Sequence, residues 1–259
     1  MHTQANGTYK CSFCKDEGGT LVKAPTVQTV RGENVEIPMD HWKPCEECSK
    51  RRELEREQAR VDFRLKSSQI TLKFRKKTFD CFNYENLSDI VRTAFRYARI
   101  YFTKFEEIRK TPANGICLLG RPGCGKTHLL MAIANELLDK GEDVFYFPYV
   151  EGMEEIKNDL KKEDVNKLRF EKLKTVPVLL LDDLFKPPAE PSTFEIKKIF
   201  EVINHRYLEQ LPTLISSELT ISQMCDIDEA LGSRINEMCK EFRVTIQGDK
   251  SLNYRLRED

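Results

Sequence analysis

The stretch Gly115-Ile-Cys-Leu-Leu-Gly120-Arg-Pro-Gly123-Cys-Gly125-Lys126-Thr127-His-Leu-Leu-Met-Ala-Ile-Ala-Asn-Glu-Leu-Leu138 decides how the chain is read. A short apolar run, Ile116 to Leu119, leads into Gly120 to Thr127, which matches G-x-x-x-x-G-K-[ST] at every position, and a helix-forming run follows. Glycines let such a backbone curl so that successive N–H groups converge on one point. The positive end of the following helix adds to the attraction for anions. The chemistry that fits is a nucleotide polyphosphate. Lys126 would contact the β- and γ-phosphates and Thr127 would ligate Mg²⁺ through its hydroxyl, with Gly120, Pro122, Gly123, Cys124, Gly125 and His128 completing the cradle.

Working toward the C-terminus, Val178-Leu-Leu-Leu-Asp182-Asp183 is an apolar strand that ends in two carboxylates, 56 residues after Lys126. This is the pattern of a Walker B strand. Asp182 would hold Mg²⁺ and Asp183 would orient or deprotonate an attacking water. Further strand candidates are Val144–Phe147, Thr213–Ser216 and Phe242–Ile246. Helical stretches are expected between the strands, at Thr127–Asp139, over Val150–Lys174 in pieces, and at Thr193–Gln210. Short apolar strands alternating with helices imply an α/β fold, a parallel five-stranded sheet flanked by helices on both faces.

Working toward the N-terminus, Ile90, Val91, Ala94, Phe95, Ala98, Tyr101, Phe102 and Phe105 recur at helical spacing, with Ser88 as the expected N-cap. A turn is expected around residues 79–86. Before it, residues 50–77 carry 11 basic and 4 acidic side chains, a local +7 in a chain of net charge zero. Such a segment suits nucleic acid or an acidic partner. It suits a solvated helix equally, because Glu53, Glu55 and Glu57 interleave with Arg51, Arg52, Arg56 and Arg60.

Cys11-x-x-Cys14 and Cys45-x-x-Cys48 are two C-x₂-C knuckles that together offer four thiolates to a tetrahedral Zn²⁺. The 30 residues between them exceed the usual ribbon spacer, so a bulky connection is expected, and His41 is close enough in sequence to replace one cysteine. Cys81, Cys117, Cys225 and Cys239 are expected to be buried small apolar residues. No apolar run reaches the roughly 20 residues of a membrane span, and the first residues lack the apolar core of a signal peptide. The expected compartment is the cytoplasm, and no membrane partner is expected. There nine cysteines favour metal or burial over disulfides. The expected domains are a zinc-binding, partner-contacting region with its basic helix at 1–66, linking helices at 67–110, and an ATPase domain at 111–259.

The zinc knuckles, the basic helix, the Lys76-Lys-Thr-Phe-Asp-Cys-Phe82 lead-in and the compact Walker A/Walker B region together resemble the DnaC/DnaI family of AAA+ helicase loaders from bacteria and their phages. The resemblance runs over nearly the whole chain and is most specific from Phe74 to Asp259. It implies an ATPase domain without a C-terminal helical lid, which assembles side by side with copies of itself and contacts single-stranded DNA. It also implies an N-terminal domain that grips the replicative DnaB-type helicase. By position, Ser216-Ser217-Glu218 falls at the sensor-1 strand end, Arg234 at the arginine finger and Arg255 at the sensor-2 arginine, while Tyr149 to Leu160 matches the extra helix of initiator-type members. Two departures stand out. Asp183 replaces the commoner glutamate, and Glu218, unable to donate a hydrogen bond when ionised, stands where asparagine is frequent, leaving Ser217 as the substitute donor. Both imply slow hydrolysis, stimulated by DNA or helicase.

The function so implied is ATP-dependent delivery of a helicase to single-stranded DNA at replication initiation. An IstB-like transposition helper ATPase that binds DNA is the alternative. A small-molecule kinase fits poorly, because its zinc would be expected in a lid after the phosphate loop. A DNA-binding adaptor with a vestigial site is opposed by the intact Lys126, Thr127 and Asp182.

Overall fold

The computed structural model describes residues 11–256 apart from 16, 31–32, 84–86, 159–162 and 188. The chain forms two compact units, residues 1–62 and 63–259. In the first, strands β1 (Gly19–Val30) and β2 (Glu33–Pro44) make an antiparallel ribbon, paired in continuous register from Gly19↔Pro44 to Val30↔Glu33. The bulky connection expected between the knuckles is therefore a long β-hairpin. Helix α1 (Glu46–Ser67) opens directly on the second knuckle.

The second unit begins with α2 (Leu72–Arg75), α3 (Asp89–Thr103) and α4 (Phe105–Ile108). Ser88 does stand at the N-cap of α3, but its hydroxyl makes no cap bond; its carbonyl accepts from Val91 and Arg92 instead. Of the turn expected at 79–86, residues 84–86 lie outside the described set. Strands and helices then alternate as the apolar runs dictate: β3 (Ile116–Gly120), α5 (Lys126–Asp139), β4 (Val144–Pro148), α6 (Tyr149–Asn158), α7 (Glu163–Thr175), β5 (Val178–Asp182), α8 (Thr193–Leu208), β6 (Thr213–Ser217), α9 (Ile221–Ile227), α10 (Glu229–Met238) and β7 (Arg243–Ile246). Helix α6 covers most of the predicted extra helix, whose end at Leu160 is outside the described residues.

All five strands run parallel in the order β4-β5-β6-β3-β7. Side chains alternate across a strand, and this sheet is apolar on both faces. Ile116, Leu118, Val178, Leu180 and Leu214 pack with α3 and α5, while Cys117, Leu119, Leu179, Leu181 and Ile215 pack with α8 and α10. Such a sheet needs helices on both sides. The expected fold is the one formed. Among the described residues no helix is long and apolar enough to cross a membrane.

The amino ends of β5 and β6 are locked together by a buried arginine. Arg206, fully buried on α8, donates from Nη1 and Nη2 to the carbonyls of Leu173, Lys174, Val176, Pro177 and Pro212, and from Nε to Thr213 Oγ1 at 2.9 Å. It thus fixes the chain entering β5 against the chain entering β6. Burial pulls its pKa down to about 9, which leaves it charged at neutral pH.

Candidate functional site: a phosphate cleft and a four-sulfur cluster

A cleft of about 300 Å³ opens at the carboxyl ends of the strands, where open α/β sheets bind ligands. Pro122 to His128 line it, while Gly120, also expected in the cradle, is not among the lining residues. Gly125 sits at φ +96°, and a Cβ there would stand 2.6 Å from Phe82 Cε2. Gly125→Ala is therefore expected to cost about 2 kcal/mol and to weaken nucleotide binding. Melting with and without ATP checks this; an unchanged melt and an unchanged ATP-induced shift would refute it.

Lys126 is 5% exposed, and its ammonium donates to the carbonyls of Gly120 at 2.6 Å and Arg121 at 2.7 Å. Burial lowers its pKa, with Cys124, Asp183, Glu218 and Asp182 opposing the shift. The lead-in segment is read by α5. Thr78 O lies 2.8 Å from His128 Nε2, and Asn135 Nδ2 donates to Phe74 O and Lys77 O. His128 faces the Phe82 ring edge-on, and burial holds its imidazole below the ordinary range; because Thr78 O can only accept, Nε2 is the donor. Lys77, Phe82 and Leu252 line the cleft, none of which sequence reasoning named as a site residue. The signal for the first two was present in the lead-in motif, but not which helix it would meet.

Asp182, also 5% exposed, is the hub of the acidic end. It accepts from Ser216 Oγ, from Thr127 Oγ1 at 2.9 Å and from Tyr146 OH at 3.3 Å. Burial pushes its carboxyl up; the Ser216 hydroxyl lowers it, the Asp183 charge raises it, and the Thr127 and Tyr146 hydroxyls lower it. A buried carboxylate beside a second one favours a cation. Two adjacent ligands of an octahedral Mg²⁺ at about 2.1 Å stand about 3.0 Å apart, so the Thr127–Asp182 separation fits that ion.

Ser217, expected as the substitute donor, is engaged elsewhere, and Ser216 is the serine that meets the two aspartates. Ser216 accepts from Asp183 N–H at 2.8 Å and donates to Asp182, whereas Ser217 Oγ donates to Leu184 O and is fully buried. Adjacent strand residues face opposite ways, so only one of the pair can serve the cleft. Glu218, Asp183, Pro122, Gly123, Cys124 and Arg255 line the cleft together. Cys124 donates to Arg121 O, and burial raises its pKa. Arg234 is not among the residues lining the cleft. Its Nη1 donates to Ala230 O at 2.8 Å and its guanidinium lies 5.2 Å from the Phe200 ring centre. Cys117 and Cys239 are buried as expected, but Cys225 is only partly buried, and Cys81 is exposed and lines the cleft.

In the first unit the sulfurs of Cys11, Cys14, Cys45 and Cys48 all lie within 4.8 Å of one another. Cys11–Cys45 is 3.6 Å and Cys14–Cys48 is 3.3 Å. A tetrahedral Zn²⁺ with bonds of about 2.3 Å has sulfur–sulfur edges of about 3.8 Å, so the set is compatible with zinc. Gly18 N–H and Arg51 Nη2 donate to Cys14 Sγ and Cys48 Sγ, the kind of outer contact that orients thiolate ligands. The Cys48 thiol is pushed up to about 12, chiefly by the neighbouring Cys14 thiol. His41 stands apart from this group. It is paired with Val22 across the ribbon and its Nε2 lies 2.7 Å from Thr26 Oγ1, so the strand register holds it away from the sulfurs.

Comparison with known proteins places this architecture. The family described as IstB-like ATP binding protein matches residues 20–257. The phage-like element PBSX protein XkdC of Bacillus subtilis (strain 168) is 38% identical over 253 residues, covering 96% of this chain and 86% of that protein. The replicative helicase loader DnaI of the same strain is 30% identical over 244 residues, 88% of this chain and 73% of the relative. A crystal structure of DnaI superimposes with a TM-score of 0.57 at 25% identity, covering 69% of this chain and 95% of that one. That of the DnaC helicase loader, at 22% identity and TM-score 0.54, covers 68% and 100% and shows the shared fold. The chain belongs to the IstB/DnaC family of AAA+ ATP-binding proteins.

Proposed function

We propose that this protein is an ATP-dependent loader that binds a replicative DnaB-type helicase and delivers it to single-stranded DNA. The observation that carries the reading is one chain holding both a phosphate cleft lined by Lys126 and Thr127, with Asp182 bonded to Thr127, and a separate unit built on four sulfurs. Similarity to the relative named a replicative helicase loader extends over 88% of this chain.

In the cleft, Lys126 exchanges its two loop carbonyls for the β- and γ-phosphates of ATP. Thr127 Oγ1 and Asp182 hold Mg²⁺, which neutralises phosphate charge when bound. Ser216 and Tyr146 fix the Asp182 carboxylate so that it meets the ion without rearranging. Asp183 orients the attacking water, and Arg255, on the same cleft wall, faces the phosphates. Arg234 serves a neighbouring copy, in keeping with its place outside its own cleft. Zinc on Cys11, Cys14, Cys45 and Cys48 folds the 1–66 region, which docks the helicase; the 67–110 helices join it to the ATPase domain. The ribbon offers exposed Leu21, Val27 and Trp42 for that contact.

Lys126→Ala is expected to lower ATP hydrolysis by at least about 100-fold. Co-purification with the DnaB-type helicase in ATP should succeed for the intact chain and fail for Cys45→Ser/Cys48→Ser. An intact chain that binds no helicase would move the reading to the second candidate, a transposition helper ATPase of the IstB kind, which the family match over residues 20–257 favours.

A further inference from the structure

The cleft contains a cation that no motif announces. Lys186 follows β5 on a turn in which two non-glycine residues, Asp183 at φ +56° and Phe185 at φ +51°, take left-handed conformations. Side chains seldom adopt that region, and doing so twice in three residues is a marked local demand. One result of the turn is that both Asp183 and Lys186 line the cleft, beside Lys126, Thr127, Glu218 and Arg255.

Lys186 Nζ donates to Asp183 Oδ2 in a close ion pair, with the lysine side chain 39% exposed. That contact is the chief reason its ammonium is held above the ordinary lysine range. Asp183 is thus engaged by its own chain. Glu218, at the end of β6, is a carboxylate on the same wall and cannot donate to a phosphate when ionised. Lys186 shares the cleft lining with Lys77, Lys126 and Arg255, and it carries the ion pair to Asp183.

Resting on the ATP-site reading above, we propose that Lys186 senses the terminal phosphate. A γ-phosphate in the cleft competes with Asp183 for the ammonium, draws Lys186 off, and frees the Asp183 carboxylate to orient water. A nucleoside diphosphate lacks the competing group, so Lys186 stays on Asp183. One side chain then couples recognition of the third phosphate to release of the base, and no bond is made or broken in the exchange.

The test compares the full-length protein with Lys186→Met, Lys186→Gln and Lys186→Arg by titrating ADP and the β,γ-methylene analogue of ATP. Use of the analogue keeps turnover out of the measurement. Methionine and glutamine should weaken analogue binding about tenfold while leaving ADP within about twofold, as expected for loss of one charge-assisted contact. Arginine should restore most of the preference. An unchanged analogue-to-ADP ratio in both neutral variants overturns the inference, as does equal weakening of both nucleotides, which would mark Lys186 as a brace for the turn. A wild-type protein that binds both ligands with equal affinity overturns it too. A wild-type protein that binds neither overturns the ATP-site reading itself.

Discussion

Arg206→Leu is expected to lower the stability of the 63–259 unit by about 4 kcal/mol, or about 10 °C in melting temperature. The leucine fills much of the volume but abandons five carbonyls and the Thr213 hydroxyl, three of these six bonds being buried and three part-buried. An unsatisfied buried acceptor is expensive because water cannot reach it to compensate. Arg206→Lys should recover part of the loss, since an ammonium keeps the charge but has three donors on a single atom. Urea melts of the three proteins rank them directly, and a leucine variant within about 1 kcal/mol of wild type would sink the argument. The clamp has a functional side. It joins the approaches to β5 and β6, and those strands carry Asp182 and Ser216 at their far ends. The lysine variant should therefore show weaker ATP turnover even where it remains folded.

The second large effect concerns the first unit. Its described buried side chains are Cys11, Cys14 and Cys48, with Cys45 packed against them. Leu21, Val27, Met39 and Trp42 of the ribbon are exposed. An isolated two-stranded ribbon is marginal in water, so little besides a metal holds these residues together. Structural zinc contributes about 10–16 kcal/mol in small domains. The protein as purified is expected to carry one zinc per chain, and a strong chelator should unfold the 11–62 region while the 63–259 unit survives. Limited proteolysis with metal analysis reads both at once. Continued protection of the first region after zinc has been removed would show that the sulfurs are not its keystone.

The 63–259 unit was largely legible because its two strongest signals are local. Each strand is a short apolar run, and the phosphate loop is written residue by residue between Gly120 and Thr127. The ribbon was not legible. Its strands carry Pro25 opposite Pro38 and mix Lys23 with Asp40, so no alternation facing a core marks them. Proline is tolerated there because both strands are edges. Lys186 escaped notice for another reason. Its position depends on the backbone at Asp183 and Phe185, and a left-handed conformation at such residues leaves no trace in composition. Ser217 was expected as donor from its place beside Glu218 alone, and only the alternation of side chains along β6 shows that Ser216 meets Asp182 instead.

The sheet order sets a timetable for synthesis. β3, the strand that feeds the phosphate loop, lies between β6 and β7, and these are the last two strands made. While the ribosome is still translating residues 121–212, β3 has neither neighbour, and the loop hangs from a strand with two open edges. The cradle around Lys126 gains its flanking strands only after residues 213–246 have left the exit tunnel. A nascent chain of this protein should therefore be blind to ATP through most of its synthesis, and should acquire the nucleotide late and in one step.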